Sequence, residues 1–389
     1  MTLTWSLVVA TLNREECLVQ SLRTNANQTR PPKQIIVVDA SENWAETRRS
    51  VLNALAPDFP DIEWIYLQSP QRSLTHQRNI GLAECRADVG FFLDDDSFMY
   101  RDCAEEVMRV YEADPSEKIG GVCTWIEGAP EGTPPSPRAG ASGAILSRWL
   151  GQVLMDTWDA QSLFLPYDGH YHRRALDHAD PKQVGPASLF HGCRMTYRTA
   201  VVRKVGGFDE MLVGVAFCED GDCSYRVSQI RTIAVAKRAR IFHQAAQGGR
   251  VNARANTALV LANAVALYHV HHSESLRWWR VTAFRFLLRR TVLELLRDCA
   301  RMRGGMPHVL GALDALRLAP KILWRDVDSL KREYPGIQMK LYQLGRSSLR
   351  VGMRQDEPKP IRWGRQEPGV CERPSHRATG AQEKIPRRP

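Results

Sequence analysis

The sequence predicts an α/β protein built on a mostly parallel sheet, and three observations carry that expectation. Short apolar runs alternate with helical stretches through the first part of the chain, the pattern of βαβ units. The runs end in polar residues: Thr11 and Asn13, Asp39 and Ser41, then Asp94, Asp95 and Asp96. The last of them, Val89 to Leu93, is uninterrupted and then cut off by three carboxylates. Unpaired acids are too costly to desolvate, so they belong at the carboxyl edge of the sheet, where open α/β folds bind their ligands.

Taken in order, Trp5 to Ala10 reads as the first strand and Thr11 to Arg14 as its turn. Glu15 to Asn27 is a helix with Cys17, Leu18 and Leu22 on its apolar side, and Pro31-Pro32 closes it off. Gln34 to Val38 is a second buried strand, Trp44 to Leu55 a helix, Ile62 to Leu67 a third strand. Ser73 is placed to cap a helix from Leu74 to Ala87, and Val89 to Leu93 is the fourth strand. A helix over Cys103 to Glu112 and a strand over Ile119 to Ile126 follow. Ala129 to Gly143, rich in Pro and Gly, reads as a loop or lid beside the site. Ala144 to Pro186, with Trp149, Trp158, Tyr167 and Tyr171, suits an acceptor-side insertion or plain core packing.

Further on, Gly206-Gly207-Phe208-Asp209-Glu210 is a Gly-rich turn, and Glu219-Asp220-Gly221-Asp222 opens a helix whose dipole favours acids. Ile233 to Ala236 and Ala239 to Phe242 read as short strands ending at His243. The texture then changes. Thr257 to His269 is an apolar helix, with His269, His271 and His272 at a solvated end. Arg277 to Arg303 is amphipathic, with Val281, Phe284, Leu288, Val292 and Leu295 in one stripe. Leu310 to Leu323 is a further helix, stopped at Pro320 or running past it. Beyond Gly352 the composition is that of a disordered tail. The expected division is therefore 1–250 for the sheet domain, 251–350 for a helical region and 351–389 for the tail.

The 389 residues suffice for two domains or one large domain with appendages, and the net charge is +10. Much of the excess is late: eight Arg against Glu294 and Asp298 between Arg277 and Arg303. A basic C-terminal part calls for an anionic partner, a membrane or nucleic acid. Nine Cys without a C-x-x-C pair form neither a disulfide framework nor a zinc pattern, which suits a reducing compartment. Neither a signal peptide nor a membrane span is expected.

The two acidic clusters bound the chemistry. Carboxylates at a sheet edge attract Mg²⁺ or Mn²⁺, which clamp a diphosphate, although a solvated Asp-rich turn has the same composition. A second acid at a helix start suits a general base acting on a hydroxyl. Several segments together resemble a family-2 glycosyltransferase, an inverting nucleotide-sugar enzyme of the GT-A fold. They are Val9 to Arg14, Val37 to Ser41, Gln77-Arg78-Asn79-Ile80-Gly81, Asp94-Asp95-Asp96, Gly206 to Glu210, Glu219 to Asp222, and His243. Each is weak alone; their order over residues 4–250 is the signal. Ala40 departs from the family's usual second Asp, and the Q-x-x-R-W motif of processive synthases is absent.

By that resemblance Thr11, Asn13 and Asp39 hold the nucleoside side of the donor, and Arg78 approaches its phosphates or sugar. Asp94 contacts ribose or sugar, Glu219 holds hydroxyls, Asp96 and His243 bind Mn²⁺ or Mg²⁺, and Asp220 is the base. Asp95 is expected to face solvent. The implied activity is addition of one sugar, from a UDP- or dTDP-sugar, to a glycan or lipid-linked acceptor in polysaccharide or glycolipid assembly. The expected place is the cytoplasm; the basic amphipathic stretch Arg277 to Arg303, with Trp278 and Trp279, suits an anionic membrane surface as partner, peripheral on the inner face of the plasma membrane, and no nucleic acid is expected. Alternatively, the amphipathic stripe packs on the sheet domain. Two other classes stay open: a metal-dependent nucleotidyltransferase, and a non-catalytic scaffold binding nucleotide or membrane.

Overall fold

The computed structural model describes residues 2–127, 180, 182–187, 189–244, 251–274 and 277–344. The loop expected at 129–143, nearly all of the aromatic stretch 144–186 and the tail 351–389 lie outside these residues.

Strands β1 (Trp5–Thr11), β2 (Gln34–Asp39), β3 (Glu63–Gln68) and β4 (Val89–Asp94) form a parallel half-sheet, connected by α1 (Glu15–Ala26), α2 (Trp44–Leu55) and α3 (Leu74–Glu84). There follow β5 (Ser97–Met99), α4 (Cys103–Glu112), β6 (Ile119–Ile126), β7 (Val184–Pro186), β8 (Met195–Arg198), α5 (Thr199–Lys204), α6 (Glu219–Ser228) and β9 (Thr232–His243). The sheet order is β3-β2-β1-β4-β8-β6-β9-β5, with β7 on β9. Antiparallel pairing turns β8 against β4 and β6, and β5 and β7 against β9; every other strand runs one way. The α/β, mostly parallel architecture is thus as expected.

Period-two alternation sorts the strand residues between two layers. Leu7, Val9, Ile35, Val37, Phe91 and Leu93 bury against Leu18 and Leu22 of α1, Val51 of α2 and Val107 of α4. Val8, Ile36, Val38 and Phe92 bury on the other face with Leu82, Tyr197 and Val227. Register sets the polar strand ends abreast: Thr11 lies opposite Asp39, and Ala10 opposite Asp94.

The differences from expectation have local causes. Helix α3 stops at Glu84, and the Ser73 hydroxyl meets the Thr75 hydroxyl at 3.1 Å instead of capping the helix. The two strands expected between Ile233 and Phe242 are one, because β9 bulges: Thr124 pairs with Ala236 while Trp125 pairs with Arg240. Strands β5 and β7 are too short to leave an apolar period.

Four helices complete the described chain: α7 (Ala253–His272), α8 (Trp279–Ala300), α9 (Pro307–Leu323) and α10 (Val327–Tyr342). Helix α9 continues past Pro320, and α10, unforeseen, contains Pro335. They share a third core with the loop before α6, where Met211, Leu212, Ala216 and Cys218 pack with Leu259, Val265, Ile322, Leu330 and Tyr334. Gly311 permits a close approach of α9 to α7, since a Cβ there would stand 2.3 Å from the Arg254 carbonyl oxygen. None of the described helices is long and apolar enough to cross a membrane.

One expectation about this layer is corrected, and one of two open alternatives is not met. The histidines closing α7 are not at a solvated end. His269 stacks on Trp279 with ring centres 4.3 Å apart, His272 is buried beside Tyr268, and His271 Nε2 lies 2.7 Å from Asp222. The stripe on α8 does not pack on the sheet domain. Val281, Leu288, Val292 and Leu295 face outward, while Trp279, Ala283, Phe286 and Leu287 form the inner face. The helix carries two apolar faces, and the periodicity alone does not rank them.

Candidate active site

The carboxyl ends of β1, β2 and β4 bring the expected residues to one edge. Asn13 takes a left-handed backbone (φ 54°), which asparagine tolerates, and its amide donates to Ser41 Oγ at 2.7 Å. Asp39 is fully buried. One of its oxygens accepts from the Ser41 amide at 2.7 Å and the other from the Tyr66 hydroxyl at 2.6 Å. Thr11 donates its hydroxyl to Asp95 at 2.8 Å. Asp95 therefore does not face solvent: it is 4% exposed and also accepts from Arg14 at 2.9 Å. Burial pushes its carboxyl up to about 6 against the pull of Arg14 and Thr11. Arg14 stands 3.7 Å from Asp96 as well, so one guanidinium ties the first turn to the acid triplet.

Asp94, Asp96 and His243 converge from β4 and β9, with one ligand atom of each within 4.8 Å of the others. The β5–β9 pairing sets His243 opposite Ser97, next to Asp96. His243 Nε2 lies 3.0 Å from Asp96 and 3.8 Å from Asp94. Burial works to lower the His243 pKa, but hydrogen bonds to Asp96 and Cys193 outweigh it and raise it to about 11. Two carboxylates and an imidazole form a hard oxygen-and-nitrogen set, which suits Mg²⁺ or Mn²⁺ with positions left for a phosphate.

Arg78 links this cluster to the second acidic group. Its side chain is 1% exposed and fully enclosed between Asp94, at 2.9 Å, and Glu219. It also donates to the Gly192 carbonyl at 3.2 Å and lies over the Phe208 ring. Glu219 and Asp220 occupy the first turn of α6. Burial, then the charge of Asp220, pushes Glu219 up to about 8 despite Arg78. Asp220 accepts from the Gly192 amide at 2.9 Å and the Gly221 amide at 2.7 Å. Burial raises its pKa in spite of those bonds, which makes it a stronger base than a free carboxylate. Asp222, two residues on, is held by Arg226 and by His271 from α7.

The loop feeding α6 is backbone-strained: Ala216 (φ 50°) and Cys218 (φ 74°) are both left-handed. Between them the Phe217 carbonyl accepts from Asn263 of α7 at 2.8 Å, and Asn263 accepts from the Tyr334 hydroxyl of α10 at 2.8 Å. Gly207 has φ +68°, and a Cβ there would lie 2.5 Å from Asn79 Oδ1.

The structure gathers Thr11, Asn13, Asp39, Arg78, Asp94, Asp96, Glu219, Asp220 and His243 along one edge through this chain of contacts. Sequence reasoning missed the contributions of Arg14, Tyr66, Gly192, Cys193 and His271. Arg14 was visible as the charge after Asn13, but its partner is 81 positions away. Nothing local marks the others.

Residues 6–178 match a family model described as glycosyl transferase family 2. That segment contains Thr11 to Asp96 and ends before Glu219, Asp220 and His243. No curated protein matches the chain in sequence. Among solved structures, GalNAc-T7 with UDP, GalNAc and Mn²⁺ is similar at a TM-score of 0.53 and 13% identity, over 89% of this chain and 57% of that one. This chain thus spans little more than half of GalNAc-T7, and the likeness is one of fold. The mannosyltransferase PcManGT from Pyrobaculum calidifontis, in complex with GDP-Man and Mn²⁺, aligns at a TM-score of 0.46 and 13% identity, over 88% of this chain and 85% of that one. S. aureus TarS 1-349 in complex with UDP-GlcNAc aligns at 0.49 and 12% identity, over 87% and 89%. Residues 6–178, somewhat under half of the chain, are thus similar to glycosyl transferase family 2, and the chain is a glycosyltransferase of the GT-A fold.

Proposed function

We propose that the protein transfers a single sugar, with inversion, from a UDP- or dTDP-sugar to a hydroxyl of a glycan or lipid-linked acceptor. The work is assigned to residues 1–250, with helices 251–350 as a supporting layer at the cytoplasmic face of a membrane. The observation that carries the reading is the pairing of two groups across one edge. Asp94, Asp96 and His243 lie within 4.8 Å, and Arg78 spans from Asp94 to the Glu219-Asp220 turn. GalNAc-T7, of the same fold, was solved with UDP and Mn²⁺, which agrees with the donor and ion proposed.

Asp94, Asp96 and His243 would hold Mn²⁺ or Mg²⁺, which when bound neutralises charge developing on the leaving diphosphate. Asp39, with Thr11 and the Asn13 turn, would receive the nucleoside. Arg78 is enclosed, so its part is to fix Asp94 and Glu219 in place. Asp220 would take the proton of the acceptor hydroxyl as its oxygen bonds to the anomeric carbon and the bond from that carbon to the diphosphate oxygen breaks. Glu219, beside it, would bind sugar hydroxyls.

The test is a screen of nucleotide-sugars for nucleoside diphosphate release with Mn²⁺, Mg²⁺ or chelator, beside Asp96→Ala and Asp220→Asn. The expected result is slow, metal-dependent hydrolysis of one donor, lost in both variants. Donor-independent pyrophosphate release from a nucleoside triphosphate and a sugar phosphate would establish a nucleotidyltransferase instead. Absence of metal-dependent binding of any donor would overturn the site.

A further inference from the structure

Helix α8 presents an outward face that combines aliphatic residues and arginines and carries no carboxylate. Val281, Leu288, Val292, Leu295 and Leu296 lie on it, with Leu288 and Val292 53% and 51% exposed. Trp278, just before the helix, and Met302 and Met306, just after it, are exposed as well. From Val281 to Leu296 the stripe is about 22 Å long at 1.5 Å per residue. Arg285 and Arg289 stand exposed within or beside it, and Arg277, Arg297, Arg301 and Arg303 are exposed near its ends.

The only acids between Arg277 and Met306 are Glu294 and Asp298. Both are turned inward, 3% and 1% exposed. Glu294 takes hydrogen bonds from Arg290 and Arg297, and Asp298 accepts from the His308 and Val309 amides at the start of α9. Packing thus removes the negative charges from the surface and leaves the positive ones. The inner face is already satisfied by Trp279, Ala283, Phe286 and Leu287 against the neighbouring helices, so the outer stripe is not a misplaced core.

We propose that the outward face of α8 docks on an anionic lipid bilayer, lying in the plane of the interface. An apolar stripe flanked by arginines, with an indole at its end, is complementary to acyl chains beneath anionic headgroups. A second copy of the chain fits worse. A two-fold contact through this face would set its arginines against their own copies without an acid on the face to answer them. The inference rests on the membrane placement proposed above, to which it assigns a surface, and is independent of the chemistry proposed for the site.

The experiment is flotation of the full chain with phosphatidylcholine vesicles, with or without about a third phosphatidylglycerol, at 0.15 M salt. Two variants accompany it: Leu288→Gln/Val292→Gln/Leu296→Gln, and Arg285→Glu/Arg289→Glu. Both alter exposed positions, and unchanged circular dichroism and melting confirm that each is folded. The unaltered chain is expected to float with the anionic vesicles only, and each variant to bind at least about tenfold more weakly. Equal binding by either folded variant, or equal binding to both vesicle types, would overturn the proposal. So would sedimentation as a dimer that the aliphatic substitutions dissociate, with no vesicle binding.

Discussion

Replacing Arg78 by methionine removes a cation shared by the two halves of the site. Its partners differ in burial, and that sets the magnitude. The Asp94 side chain is 31% exposed, so water replaces most of what the guanidinium gave it. Glu219 is 7% exposed and has Asp220 beside it, so it is left without its cation in a dry place. Breaking a buried pair from one side costs about 3–5 kcal/mol, and with Asp94 rehydrated the lower end, about 3 kcal/mol, applies here above pH 8, where Glu219 of the unaltered protein is ionised. The assay is denaturant unfolding of the metal-free protein across pH. Glu219 is already held up to about 8, above its unfolded value, so both proteins lose stability as pH rises from the unfolded value toward the folded one. In Arg78→Met the folded value is higher still, the decline continues further, and the gap widens above pH 8. Adding Glu219→Gln should recover at least about 1 kcal/mol, and Arg78→Lys should fall between, since an ammonium lacks the planar fork. A gap under about 1 kcal/mol that is flat with pH would refute the bridging role.

Three further outcomes are expected. Gly311→Ala puts a methyl 2.3 Å from the Arg254 carbonyl, which cannot swing aside, so α7 and α9 must separate; thermal unfolding should show a loss of about 1–3 kcal/mol. Tyr66→Phe leaves one oxygen of buried Asp39 without its donor, with a loss of about 1–3 kcal/mol and weaker UDP binding by calorimetry; unchanged UDP affinity would confine Tyr66 to a structural part. Asp222 is pushed up by burial, but Arg226 and His271 outweigh this and hold it below the usual range. Its stabilisation is therefore present above the unfolded value and lost as pH falls through the folded one, so Asp222→Asn should lower stability at neutral pH and flatten the acid limb followed by circular dichroism.

What the sequence made legible depended on distance along the chain. Runs such as Gln34–Val38 and Phe91–Leu93 are buried on both faces and announce themselves as strands, and their polar ends mark the ligand edge. The cluster of Asp94, Asp96 and His243 came from motif order, because the β5–β9 pairing that joins them is too short to read. Asp95 could not be placed, since its neutralising partners, Thr11 and Arg14, belong to another strand end. Arg78 showed as a charge but not as an enclosed one, for burial depends on Phe208 and Glu219 far downstream. The direction of α8 was undecidable for a similar reason: both of its faces are apolar, and only the contact with α7 and α9 selects Trp279 and Leu287 over Leu288 and Val292.

Ala216 and Cys218 give the loop before α6 a meaning beyond its geometry. Neither residue prefers the left-handed region, and each costs on the order of 1 kcal/mol to keep there. Asn263 and Tyr334, from two different C-terminal helices, brace the bend, so the turn that carries Glu219 and Asp220 is held from outside the sheet. A lineage that varied α7 or α10 would act on that turn while leaving Asp94, Asp96 and His243 untouched. Loosening those helices on heating would release that turn while the sheet and its acids stay in place.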